Sequence, residues 1–257
     1  MIPKTASSAI FLCAGYGTRM RELGEKIPKP LVQVAGRPML DYLLEAVASL
    51  PGITRVEVVS NSRFAPAFGD WAALRKSSAL PITVHDDGTS SPENRLGAVG
   101  DLAFVLENAG LPAGGALVAA GDNIPLFGLE AFWQAFREGS ASRVLALAEN
   151  DLAALRQTGV LELDGERVLS LTEKPAEPKS SWACPSIYAL DRDALAQAPA
   201  YLAAGGARDE IGRFVSWLVA TRRVEASRIV GERLHVGNPE ELRRAEALLL
   251  GRAHSAR

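Results

Sequence analysis

Cysteine is nearly absent from this chain: two in 257 residues, Cys13 and Cys184. Both lie in apolar, strand-like runs and read as small buried hydrophobes rather than as a bridge. That excludes a disulfide-stapled scaffold and fits a reducing cytoplasm. Histidine is as scarce, with three at positions 85, 235 and 254, none paired at the helical spacing of a zinc site. No stretch approaches the ~18 apolar residues of a membrane span. The N-terminal MIPKTASSAIFLCAG has one lysine and a five-residue apolar run, too short for a signal peptide. A membrane partner is therefore not expected. The formal net charge is -2, so the basic face needed to release counterions from nucleic-acid phosphates is missing, and nucleic acid is not an expected partner. No GxSxG and no Ser–His or Cys–His nucleophile pair stands out. Internal repeats, low-complexity segments and clear linkers are all lacking, including any hexapeptide repeat after residue 250.

What is present is an ordinary globular composition, 47% apolar and 23% charged, in a chain long enough for a substantial core. Buried-strand patterns at 9–14, 56–60, 82–85, 116–121 and 144–148 alternate with helical spacing over 39–50, 64–76, 98–109 and 128–138. This alternation predicts an α/β fold: a Rossmann-like, mostly parallel sheet with helices on both faces. After residue 150 the pattern changes. GVLELDGERVLSLTEKP, 159–175, reads as a hairpin around Asp164-Gly165. SIYAL at 186–190 is another strand, and helices are expected over 209–220 and 239–250, the second with Asn238 as N-cap and Pro239 in its first turn. The second half reads as an elaboration of the first sheet, giving one domain over 1–257.

The cations are not spread evenly. LCAGYGTRMRELGEKIPKP, 12–30, places Arg19, Arg21, Lys26 and Lys29 behind Gly15 and Gly17. Glycines directly after a buried strand let backbone N–H groups approach an anion. The GxxxxGK[ST] loop does not fit, and neither does the dinucleotide fingerprint, since Met20 stands where a third glycine belongs. Pro28 and Pro30 stiffen the backbone on both sides of Lys29. On the residues alone, the cluster is either a triphosphate site or a solvated basic loop. Likewise, Asp122 at the end of an apolar strand is either a magnesium ligand or the cap of the helix near 128. Lys174 is either an anion-binding group or a solvated strand end.

AGYGTRMRELGEKIPKPLVQVAGRPML resembles the signature of the sugar-1-phosphate nucleotidylyltransferases. Further segments agree in order: ENRLGAVGDL (93–102), AAGDN (119–123), the hairpin ending in Glu173-Lys174-Pro175, and LHVGNPEEL (234–242). The resemblance runs from about residue 9 to about 248. It implies a GT-A-like nucleotidyltransferase fold with a small sugar-binding elaboration: a nucleotide-binding half over 1–150 and a sugar-phosphate-binding half over 151–250. The implied reaction joins a nucleoside triphosphate to a sugar-1-phosphate, or to another phosphorylated alcohol such as phosphocholine, and releases pyrophosphate. The attacking oxygen is already anionic, so positioning and positive charge must supply the catalysis. The resemblance assigns catalysis to Arg19, Lys29, Asp122 and Lys174. It places the nucleotide on Ala14, Gly15, Gly17, Thr18, Arg19 and Gly97, and the sugar phosphate on Gly159, Glu173 and Lys174. It puts magnesium, or manganese in its place, on Asp122.

One position departs from the family pattern. The closing segment normally supplies a second metal-binding aspartate, and His235 stands there; neutral imidazole is a poor magnesium ligand. Asp86, Asp87 and Glu173 are acids near strand ends that could compensate. The alternative is a non-catalytic nucleotide- or nucleotide-sugar-binding regulatory protein. Arg233 replaces an aromatic common in the family, which affects the expected shape of the sugar pocket. A cytoplasmic monomer or homodimer is expected. Asp209 reads as an N-cap or first-turn acid of its helix.

Overall fold

The computed structural model describes residues 6–17, 26–75, 79–236 and 238–255. In chain order the strands are β1 (Ser7–Leu12), β2 (Gln33–Val34), β3 (Arg37–Pro38), β4 (Ile53–Ser60), β5 (Ile82–Asp86), β6 (Ala116–Ala120), β7 (Asn123–Pro125) and β8 (Ser142–Ala148). They continue as β9 (Gly159–Asp164), β10 (Arg167–Glu173), β11 (Trp182–Cys184), β12 (Ile187–Leu190), β13 (Val224–Ile229) and β14 (Arg233–His235). The α-helices are α1 (Met39–Ala48), α2 (Ala65–Ala73), α3 (Ala98–Ala109), α4 (Glu130–Glu138), α5 (Leu152–Leu155), α6 (Arg192–Leu195), α7 (Ala198–Ala203), α8 (Ile211–Thr221) and α9 (Pro239–Ser255).

Ten strands form one sheet in the order β11-β9-β10-β13-β8-β12-β6-β1-β4-β5. Successive side chains of a strand point to opposite faces, so a strand covered on both sides must be apolar throughout. β1 shows this. Ile10 and Leu12 pack with Val99, Leu102 and Val105 of α3 and with the layer that includes Phe214 and Leu218 of α8. Ala9 and Phe11 join Leu40, Leu43 and Val47 of α1, Phe68 and Trp71 of α2, and Phe132 and Trp133 of α4.

The expected α/β sheet flanked by helices is present, with a more mixed pairing than simple alternation implies. β6-β1-β4-β5 are parallel, and so are β8 and β13. β12 lies antiparallel to both β6 and β8. β9 and β10 form the expected hairpin, and β11 pairs with both β9 and β8, so β8, β13, β10, β9 and β11 close on themselves.

The consequence for function lies at one edge. β1, β4, β5 and β6 run the same way, so the segments after Leu12, Ser60, Asp86 and Ala120 emerge together, at the end where open parallel sheets bind ligands. β14 pairs antiparallel with β7, setting His235 opposite Asn123. This brings the closing segment beside the end of β6.

Candidate functional site

The segment after β1 is held from several sides. Cys13 N–H donates to the Val59 carbonyl at 2.9 Å, and Asn61 Nδ2 donates to the Ala14 carbonyl at 2.8 Å. Tyr16 Oη lies 3.0 Å from Thr89 Oγ1. Gly17 takes φ +60°, a left-handed conformation that favours glycine. Asn61, fully buried, was not singled out from the sequence; its signal is an asparagine directly after the strand VEVVS. Thr18, Arg19 and Arg21 lie outside the described residues, and Lys26 is exposed.

Lys29 opens a short 3-10 turn between Pro28 (φ -61°) and the buried Pro30. Its ammonium meets Asp122 Oδ2 at 2.5 Å. The two side chains retain only 12% and 26% of their exposure. The basic loop and the end of β6 thus form one charged centre, and Lys29 is not a solvated cation. Nor does Asp122 cap α4: the residue before that helix is Leu129, and no side chain caps it. Gly121 is required here, because a Cβ on it would lie 2.4 Å from Cys13 Sγ. Burial, followed by the charges of Asp122 and Asp101, pushes the Cys13 thiol well above its usual range. Both cysteines are free and buried.

Across the cleft, Lys174 follows β10 in a left-handed conformation, φ +46°, unusual for a side-chain-bearing residue. Its N–H donates to the Thr158 carbonyl at 3.0 Å, and its ammonium contacts Glu210 Oε1 at 2.5 Å. Glu210 also accepts from Arg213 Nε at 2.7 Å. Burial would raise the Glu210 pKa, but these two cationic donors hold it below the usual carboxylate range. The Glu173 carboxylate lies over glycine backbone on two sides. A Cβ on Gly212 would come 1.9 Å from Glu173 Oε2, and one on Gly159 would come 3.2 Å from it.

Gly97 precedes α3 with φ +78°, and a Cβ there would sit 2.7 Å from the Arg208 backbone. Val99 N–H donates to the Arg208 carbonyl at 2.9 Å. Next to it, Arg95 grips Asp209 with two hydrogen bonds, at 2.8 and 3.0 Å. Those bonds hold Asp209 below the usual carboxylate range. The expected N-cap role of Asp209 is therefore corrected: α8 begins at Ile211 after Glu210, with no side-chain cap, because Asp209 is committed to Arg95.

The compensating acids do not gather around Asp122. Asp86 is exposed and accepts from Ser62 Oγ and Gly88 N–H. Asp87 accepts from Thr89 N–H and Oγ1 and lies beside Asp101 of α3. Among the described residues no group of three or more His, Cys, Asp or Glu side chains is arranged to hold a metal. The His235 side chain lies outside what is described; its backbone pairs with Asn123.

These parts line one open cleft of about 1420 Å³ that includes Ala14, Gly15, Gly17, Lys29, Gly97, Asp122, Glu173 and Lys174. Gly159 borders it through Glu173. That volume exceeds the ~300–1,000 Å³ of a typical single-ligand pocket and suits two substrates side by side. No helix among the described residues is long and apolar enough to cross a membrane.

Residues 8–251 match the family model described as Nucleotidyl transferase. A glucose-1-phosphate thymidylyltransferase of Streptomyces antibioticus is 33% identical over 186 residues, which cover 70% of this chain and 48% of that protein. One from Streptomyces griseus is 31% identical over 245 residues, covering 94% and 66%. The chain spans about half to two thirds of the length of such relatives. Among solved structures, a UDP-glucose pyrophosphorylase complexed with UDP-glucose superposes with a TM-score of 0.79 at 17% identity, covering 96% of this chain and 100% of that one. One from Acinetobacter baumanii gives 0.75 at 18%, covering 94% and 92%. At such identities the structural likeness speaks for the fold.

Proposed function

Because the chain belongs to the nucleotidyl transferase family, we propose that it joins a nucleoside triphosphate to a sugar-1-phosphate, or to a similar phosphorylated alcohol, and releases pyrophosphate. The relatives' names as glucose-1-phosphate thymidylyltransferases support this reading. The observation that carries it is the Lys29–Asp122 pair beside the glycine turn, facing Lys174 across a single cleft.

An oxygen of the sugar phosphate attacks the α-phosphorus of the triphosphate. A new P–O bond forms, the bond to the β-phosphate oxygen breaks, and that electron pair leaves on pyrophosphate. No protein group need remove a proton from the attacking anion. The obstacle is bringing two anions together. Backbone N–H groups around Gly15 and Gly17 cradle phosphate oxygens, and the family resemblance assigns Thr18 and Arg19 to the same triphosphate. Lys29, stiffened by its flanking prolines, places its charge on the triphosphate. Lys174 moves from Glu210 onto the sugar phosphate, Glu173 holds the sugar from its glycine seat, and Gly97 and Gly159 offer close backbone. Asp122 is the residue that would hold magnesium or manganese. It is a hard oxygen donor already facing a cation, the Lys29 ammonium, and magnesium needs only one or two carboxylates when phosphates supply the rest. When bound, the ion would neutralise phosphate charge. A soluble cytoplasmic setting agrees with the two free, buried cysteines.

Incubation with magnesium or manganese, a panel of triphosphates and a panel of sugar-1-phosphates should release pyrophosphate in at least one combination. Silence across the panel would refute the proposal.

A second reading rests on His235, which the register places opposite Asn123 and next to Asp122. It is a nucleotide- or nucleotide-sugar-binding protein without turnover. Calorimetric nucleotide binding with no pyrophosphate release, unchanged in His235→Asp, would select it. A large gain of activity in His235→Asp would instead mark an impaired enzyme.

A further inference from the structure

Asp101 and Asp87 are 5% and 8% exposed and line the same cleft, yet neither takes part in the transfer chemistry described above. Asp101 is the one acid among the buried residues of α3, beside Val99, Leu102, Val105 and Leu106. Asp87 follows β5. No donor group of the described protein reaches Asp101 Oδ1 or Asp87 Oδ2, although both atoms are buried. A buried acceptor without a donor is costly, and the pair has only the proton shared between its own carboxyls to offer, so a ligand bringing further N–H donors suits it.

The pair is wired to the phosphate loop. Tyr16 Oη donates to Thr89 Oγ1, which donates in turn to Asp87 Oδ1. The cleft that carries Lys29, Asp122, Glu173 and Lys174 is also lined by the two acids, together with Gly97 and Arg95.

We propose that Asp87 and Asp101 form the nucleobase-reading element of this protein, and that they select a base bearing an exocyclic amino group over thymine or uracil. The proposal rests on the nucleotidyl-transfer reading above. Its logic is donor counting. An amino group presents two N–H donors and can satisfy one oxygen on each acid, whereas thymine and uracil offer a single N–H flanked by two carbonyl acceptors that would face carboxylate oxygens. Without ligand, burial and then the Asp87 charge keep a proton on Asp101, in a hydrogen bond with Asp87, which lets two acids share this wall. A cation site fits less well, since two carboxyls sharing a proton form a poor cage and no third ligand joins them among the described residues.

Titration calorimetry with magnesium on the full chain tests this, using CTP, ATP, GTP, UTP and dTTP, with dCTP, dATP and dGTP as controls for the ribose. At least one amino-bearing triphosphate should bind tenfold or more tighter than UTP and dTTP, and its 2′-deoxy form should keep that advantage. Asp101→Asn and Asp87→Asn place an amide donor on the same wall. Asp87→Asn retains an oxygen for Thr89, so it keeps the loop connection and serves as a second, independent variant. Either substitution should cut the preference at least tenfold, moving it toward UTP and dTTP. UTP or dTTP binding best to the unaltered protein, or a preference untouched by both substitutions, would overturn the proposal. So would a discrimination that follows only the 2′-hydroxyl. If no triphosphate binds at all, the nucleotidyl-transfer reading fails first and this one falls with it.

Discussion

At the residue scale, a few contacts carry the account. Lys29 and Asp122 hold each other at 2.5 Å in the cleft. Replacing Asp122 by Asn keeps the size and an acceptor but removes the charge. Turnover should fall by a factor of about 100 or more, as expected when a preorganised charge is lost, while the melting temperature changes little. Steady-state pyrophosphate release and a thermal melt check both halves of that statement. Asp101 makes a prediction about stability. Its carboxyl is pushed up to about 8, first by burial and then by the Asp87 charge, against about 4 in an unfolded chain. Between those values folding takes up a proton, so stability falls as pH rises from about 4 to about 8 and then levels off. Asp101→Asn, neutral throughout, should flatten this slope and be the more stable protein at pH 8 to 9. Denaturant midpoints across the range measure it; a parallel slope in the variant would contradict the burial argument. The family resemblance singled out Lys29, Asp122 and Lys174, each of which keeps a plain alternative on the residues alone, a solvated charge or a helix cap. The sequence hid Asp101, whose partner lies in a different segment and meets it only once β5 and α3 are packed.

At the element scale, glycines set how closely the pieces approach. A Cβ on Gly212, in the first turn of α8, would meet Glu173 Oε2 at 1.9 Å. Gly212→Ala should therefore displace the carboxylate and raise KM for the sugar phosphate several-fold, leaving KM for the triphosphate near its original value. Equal changes in both would argue against the assigned position of Glu173. Gly97→Ala combines φ +78° with a 2.7 Å approach to the Arg208 backbone and should cost about 1–3 kcal/mol in a denaturant titration. The spacing near 98–109 predicted α3, whose buried face of Val99, Leu102, Val105 and Leu106 also carries Asp101. β13 escaped notice because VEASRI mixes charged and apolar residues over six positions, and only pairing with β8 makes it a strand. Asp209 was misread for a related reason: an acid before a helix suggests a cap, but a guanidinium from a distant loop outcompetes the helix for it.

At the scale of the whole molecule, the two halves are threaded through one another. β12, from residues 187–190, separates β6 from β8, and β13 covers the other side of β8. The first 150 residues alone would leave β6 and β8 without those partners. The chain should therefore unfold in one cooperative transition, with fluorescence and circular dichroism midpoints coinciding, and a fragment ending at residue 150 should fail to fold. Two separated transitions would show that the halves are independent. The alternation of strands and helices disclosed the layered α/β plan. The insertion of β12 is non-local and leaves no local mark in the sequence.

The central claim is that this cleft directs a phosphate oxygen of one substrate onto the α-phosphorus of a nucleoside triphosphate. It is tested most directly with a sugar-1-phosphate carrying ¹⁸O in its phosphate, followed by ³¹P nuclear magnetic resonance during turnover. The account predicts that the label enters the oxygen bridging the two phosphorus atoms of the product, while the pyrophosphate released stays unlabelled. Label in the pyrophosphate, or a product whose bridging oxygen never carries it, would contradict the account.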